Sequence, residues 1–113
     1  MNKYEEIYNK SKTKARWKDT AIAALAADIE KATGKPVKVS GPFGLRAEVV
    51  VEVGDGYLLV TPEFDNGNLK IFCDTGEVTN DYPPESLGSW NNMHHVRVPL
   101  PDSMDEILKM LHR

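Results

Sequence analysis

Three histidines, one cysteine and one pair of glutamates are the residues of this 113-residue chain whose types could do chemistry. His94 and His95 are adjacent in a predicted strand, so they point to opposite faces and cannot chelate one metal from regular β geometry. His94 shares the side of Val96 and Val98 and reads as a hydrogen-bonded histidine at the core margin; His95 shares that of Arg97 and reads as exposed. His112 ends a predicted helix, where the dipole favours a positive group. Cys73 follows Phe72 on a strand and reads as a small buried hydrophobe. No spacing argues for a Cys73–His94 nucleophile pair. Glu48 and Glu63 fall opposite each other in the register derived below, with Lys70 beside Glu63. Like charges that close raise one pKa and make an acid–base pair, but on an exposed face Lys70 more simply relieves the repulsion. The glycine-containing stretches Ser40–Gly44 and Gly54–Gly56 have neither phosphate-loop nor dinucleotide spacing. The residues call for no metal and no cofactor, and an enzyme with an unrecognised site is the weakest of three functional readings.

Charge supplies the other two. The net charge of −3 hides an asymmetry. Residues 1–18 hold six basic groups (Lys3, Lys10, Lys12, Lys14, Arg16 and Lys18) against Glu5 and Glu6, giving +4. The rest of the chain holds eight basic and fifteen acidic residues, giving −7. A basic arm that releases counterions makes Lys10, Lys12, Lys14, Arg16 and Lys18 candidates for nucleic-acid binding. An acidic body repels DNA and favours protein partners, basic ones in particular. The single cysteine and an opening without an apolar run lead to the expectation of a cytoplasmic protein. The longest apolar run, Ala21–Ala27, falls well short of the roughly 20 residues of a membrane span.

The elements that must position these residues follow from periodicity. Ile22, Leu25, Ala26, Ile29 and Ala32 recur at three- and four-residue steps, which predicts a helix over Asp19–Thr33. Asp19 or Thr20 suits its start and Gly34 its end. Tyr4, Ile7 and Tyr8 form a shorter stripe upstream. A seam through both would bury Ser11 and Lys18, so a break is expected between Ser11 and Asp19, leaving residues 1–18 as an arm or helix extension of one domain spanning 1–113. Strand patterns follow at Val37–Ser40, Ala47–Val53, Tyr57–Phe64, Leu69–Cys73 and His94–Leu100. Asp55-Gly56 and Asn66-Gly67 read as two-residue hairpin turns. Pro62, with no N–H for a ladder, predicts a bulge or an end of pairing. Ser103 and Glu106 read as a capping box opening a last helix with Met104, Ile107, Leu108 and Leu111 on one side.

The expected fold is therefore α+β: an N-terminal helix, a mostly antiparallel four- or five-stranded meander, and a C-terminal helix packed on one sheet face. The two turns set Val53 opposite Leu58, Val51 opposite Val60, Phe64 opposite Leu69 and Val60 opposite Cys73. Val51, Val53, Leu58, Val60, Phe64, Leu69, Ile71 and Cys73 then share the core face. The other face carries Val50, Tyr57, Leu59 and Phe72 among carboxylates, either covered by a loop or the N-terminal segment or forming a partner-binding patch. Tyr82 and Trp90, in the long stretch Asp74–Asn92, are either a packed staple or interface anchors. The leading expectation is a small acidic protein-binding module of the inhibitor, immunity or adaptor type, a monomer or homodimer. Its candidate contacts are Val50, Tyr57, Leu59, Phe72, Tyr82 and Trp90.

Overall fold

The computed structural model describes residues 2–11, 15–74 and 97–112. The chain opens with α1 (Lys3–Asn9), nucleated by a reciprocal cap. Asn2 Oδ1 accepts the Tyr4 N–H at 2.8 Å, and Glu5 Oε1 accepts the Asn2 N–H at 3.0 Å. Helix resumes at Lys18 with a π-helical turn (Lys18–Ile22) that runs into α2 (Ala23–Thr33). The break thus falls where burying Ser11 and Lys18 would have been costly. Neither Asp19 nor Thr20 caps this start. Asp19 is taken by the Arg16 Nε at 3.1 Å, and the Thr20 hydroxyl donates back to the Arg16 carbonyl at 3.2 Å. Gly34, at φ 70°, closes α2 in the left-handed conformation that glycine adopts without strain. Ala21, Ile22, Leu25 and Ile29 form the buried stripe, while Ala32 is exposed and Ala26 half-buried.

Five strands follow: β1 (Val37–Phe43), β2 (Glu48–Val53), β3 (Gly56–Asp65), β4 (Asn68–Asp74) and β5 (Arg97–Pro99). They pair antiparallel in chain order, so the sheet is a meander. The β3–β4 hairpin turns on Asn66 and Gly67, at φ 52° and 80°, and pairs Phe64 with Leu69 and Val60 with Cys73 as expected. The β2–β3 hairpin differs. It turns on Gly54-Asp55, with Gly54 at φ 57°, so Val53 pairs with Gly56, Val51 with Leu58 and Val49 with Val60. Glycine at the first central position tolerates the positive φ directly, and that choice wins over Asp55-Gly56. Because the slip is two residues, the sidedness of the two strands survives it.

The slip removes the glutamate pair. Glu48 lies opposite Phe43 on β1, whereas Glu63 lies opposite Lys70 and within 3.5 Å of the Arg97 guanidinium. Pro62 keeps its place opposite Ile71 in the β3–β4 ladder, while the pairing of β3 with β2 ends just before it. The Ile71 N–H and C=O both point away from β3, to Glu5 Oε2 at 2.6 Å and the Leu100 N–H at 2.9 Å. The Pro62–Ile71 pair therefore exchanges no ladder bonds. The Pro62 nitrogen turns to the side where β2 pairing has already ended, at Val60.

All three helices lie on one face of the sheet. Ile22, Leu25 and Ile29 pack with Val49, Val51, Leu58, Val60, Leu69, Ile71 and with Ile107 of α3 (Met104–Lys109). Each such side chain contributes on the order of 1.5–3 kcal/mol by leaving water. Ser103 makes no side-chain cap at α3, so the only box observed is that of Asn2 and Glu5, among the described residues. On the opposite face, the covered alternative holds for two of the four residues. Val50 and Leu59 are only 5% and 2% exposed, and form a second small cluster with half-buried Tyr57. Val50 sits directly opposite Leu59 in a pair without mutual ladder bonds, where side chains approach most closely. The Tyr57 ring beside them stacks on His112 at 5.2 Å. Tyr82, Trp90, His94 and His95 fall outside the described residues, as does the rest of 75–96.

Candidate interaction site

Apolar surface appears instead at the end of the sheet that carries the Asn66-Gly67 turn. β3 is ten residues long, roughly 33 Å, while α1 spans only about 10 Å and packs mainly over β4. The far end of β3 outruns its cover. Phe64, on the core-facing side by parity, is consequently 53% exposed. Its ring meets only Tyr8 edge-on among the described aromatic rings, at 5.8 Å. The β1–β2 turn lies at the same end of the sheet. Phe43 is exposed, and Leu45 at the tip of Gly44–Ala47 is fully exposed. Ile7, next to Tyr8 on α1, is the remaining exposed large hydrophobic side chain among the described residues.

Two clamps between side chain and main chain bring these parts together. Asn9 bonds both backbone groups of Leu69, the cross-strand partner of Phe64, and so holds Tyr8 against Phe64. Lys18 Nζ donates to the Gly41 carbonyl at 2.6 Å and ties the end of β1 to the π-helical turn. Gly41 fits because it lacks a Cβ. One built there would lie 2.7 Å from the Glu48 carbonyl oxygen and 3.2 Å from the Phe43 ring, at a φ of 112° that side chains avoid. Between the clamps runs a cleft of about 300 Å³ lined by Tyr8, Arg16, Trp17, Lys18, Pro42 and Phe64. Its walls are mainly aromatic and its rim is cationic.

The residues singled out by sequence are dispersed. Lys10 pairs with Glu6 at 3.6 Å, and Arg16 with Asp19. Lys18 is spent on Gly41, and Lys12 and Lys14 lie outside the described residues. Of the basic set, the structure brings Arg16 and Lys18 to the cleft. Tyr57 and Phe72 are half-buried on the opposite face of the sheet. Sequence reasoning passed over Trp17, Tyr8, Pro42, Phe43 and Leu45 as a site and assigned Phe64 to the core. The usable signal was the unequal length of the predicted strands around Phe64.

Elsewhere the titratable groups serve structure. The Cys73 thiol is fully buried and its pKa is pushed up to about 12, by burial first and then by the Asp74 carboxylate. That is the reverse of what activates a thiolate. Its Sγ lies 3.4 Å from Met110 Sδ. Burial, then the charge of Asp74, also raises the Tyr57 hydroxyl. Tyr4 Oη donates to Asp28 at 2.6 Å, and Lys3 Nζ lies 2.8 Å from the same oxygen. These two, Lys3 foremost, hold the Asp28 carboxyl below its ordinary range. They also fasten α1 to α2. Among the described residues no three His, Cys, Asp or Glu side chains gather as a metal site, and no helix is long and apolar enough to cross a membrane. Comparison with protein-family models, curated proteins and solved structures finds no match to this chain.

Proposed function

We propose that this chain is a protein-binding module that acts by covering a surface of its partner, in the manner of an inhibitor, immunity protein or adaptor. The observation that carries the reading is half-exposed Phe64 in an aromatic-lined cleft, with exposed Phe43 and Leu45 at the same end of the sheet. Exposed Leu45 and Phe43 would supply the apolar anchors of an interface core. Nucleic-acid binding is the second reading. It rests on the +4 charge of residues 1–18 and on Arg16 beside aromatic rings, the combination that tracks single strands. Exposed Leu45 and Ile7, which have no role in stacking bases, favour the protein partner.

Alanine at Leu45 and at Phe64 tests the reading against a partner captured from the source cell. Loss of more than about 2 kcal/mol of binding, with a melting temperature that stays put for Leu45→Ala, supports it. Undiminished binding by both variants removes it.

A further inference from the structure

Resting on the reading above, we infer that the cleft between the two clamps takes an aromatic side chain of the partner with a carboxylate beside it: an acidic–aromatic segment. The size of the space argues for a side chain. At about 300 Å³ it is at the small end of ligand pockets and matches one ring system with its neighbouring backbone. The walls argue for an aromatic ring. Tyr8 and Phe64 offer ring surface over the buried Trp17, which closes the inner end, and Pro42 at the end of β1 closes one side. The rim argues for negative charge. Arg16 is 82% exposed and only its Nε is committed to Asp19, so its outer nitrogens remain available for a planar two-point contact with a carboxylate.

The placement of charge in the chain points the same way. The acidic body would by itself call for a basic partner, but the apolar cleft sits where the basic segment crosses the fold. An acidic partner segment arriving there meets Arg16 and Lys18 rather than the fifteen acidic side chains spread over the rest of the chain. Charge thus orients the partner while the rings hold it. The Lys18 clamp gives the cleft a second property. The same side chain lines the cleft and, through its Nζ on the Gly41 carbonyl, fixes the end of β1 beside it.

The experiment is a titration of the ¹⁵N-labelled full chain with indole-3-acetate, followed by its neutral analogue indole-3-acetamide and by a short oligothymidylate. Indole-3-acetate is expected to shift the Trp17 indole N–H and the amides of Arg16, Lys18 and Phe64. An affinity on the order of 1 mM fits a fragment of this size. The neutral analogue is expected to bind at least threefold more weakly, and Arg16→Gln to abolish that difference. Equal binding of acid and amide overturns the inference, as does the absence of shifts at the cleft. Tighter binding of the oligothymidylate, steeply weakened by salt, also overturns it and assigns the cleft to single-stranded nucleic acid. The Leu45→Ala and Phe64→Ala measurement is independent of all three fragments, so partner binding can stand when acidic–aromatic recognition fails.

Discussion

Asn9 and Leu69 exchange two hydrogen bonds: the Leu69 N–H donates to Asn9 Oδ1 at 2.7 Å, and Asn9 Nδ2 donates to the Leu69 carbonyl at 3.2 Å. A side-chain amide here takes the place of a neighbouring strand. β4 is seven residues long but β5 pairs only with Phe72, Cys73 and Asp74, which leaves the lower half of β4 as an edge. Asn9 closes it at Leu69, Glu5 closes it at Ile71, and Asn2 Nδ2 ties the same helix end to the Leu100 and Pro101 carbonyls. Covering an edge in this way prevents it from recruiting another strand.

Removing these acceptors should cost stability in proportion to their charge. Glu5→Ala deletes a charged acceptor and half of the α1 cap, and about 1.5–3 kcal/mol is expected; Asn9→Ala should cost about 1 kcal/mol. Urea unfolding measures both. Midpoints equal to that of the parent chain would mean that the edge is closed by something other than α1.

The meander, the two-layer arrangement and the parity of the central strands were legible because alternating apolar residues repeat over four to six positions between glycine turns. Parity survived even a misplaced turn, since the error at Gly54-Asp55 was an even number of residues. What parity cannot convey is how far a neighbouring element reaches. Phe64 has the phase of a core residue but is covered only in part, by the edge of Tyr8, and Val50 and Leu59 have the phase of surface residues but are buried. The capping boxes show the same limit: Ser103–Glu106 has the stronger pattern, yet Asn2–Glu5 forms, because Glu5 is also held by the Ile71 N–H.

Acid should loosen the α1–α2 contact first. The Asp28 carboxyl is held below its ordinary value of 3.8 by Lys3 and then by the Tyr4 hydroxyl. A depressed folded-state value means that its stabilisation is present above about pH 4 and is lost as pH falls through the lower folded value. Asp28→Asn should flatten this acid limb in thermal melts between pH 2 and 5. An identical limb in parent and variant would contradict the assignment.

At alkaline pH the sign reverses. Burial raises the Cys73 thiol from 9.0 to about 12, so its contribution is complete below pH 9 and declines as pH climbs toward 12. Native protein at pH 8 should therefore leave a disulfide reagent unreacted over the time in which the urea-unfolded chain reacts fully. Prompt reaction of the native thiol would show it to be accessible.

Gly41→Ala should disturb the cleft more than its distance from Trp17 implies. The added Cβ meets the Glu48 carbonyl and the Phe43 ring, and φ 112° strains any side chain, so a loss of about 2 kcal/mol or more is expected in thermal unfolding. Movement of Gly41 also releases Lys18. With Trp90→Phe in both proteins, the Trp17 fluorescence of this variant should accordingly shift toward that of solvated indole, and an unshifted spectrum with full stability would deny the turn its role.

The most direct measurement places a photo-crosslinking amino acid at position 45, and in a second protein at position 31 on the exposed surface of α2, inside the cell that makes the chain. The account predicts a discrete protein adduct from position 45 that is absent from position 31 and is lost when Phe64→Ala is combined with the position-45 probe. Equal adducts from both positions, or adducts from position 31 alone, would contradict it.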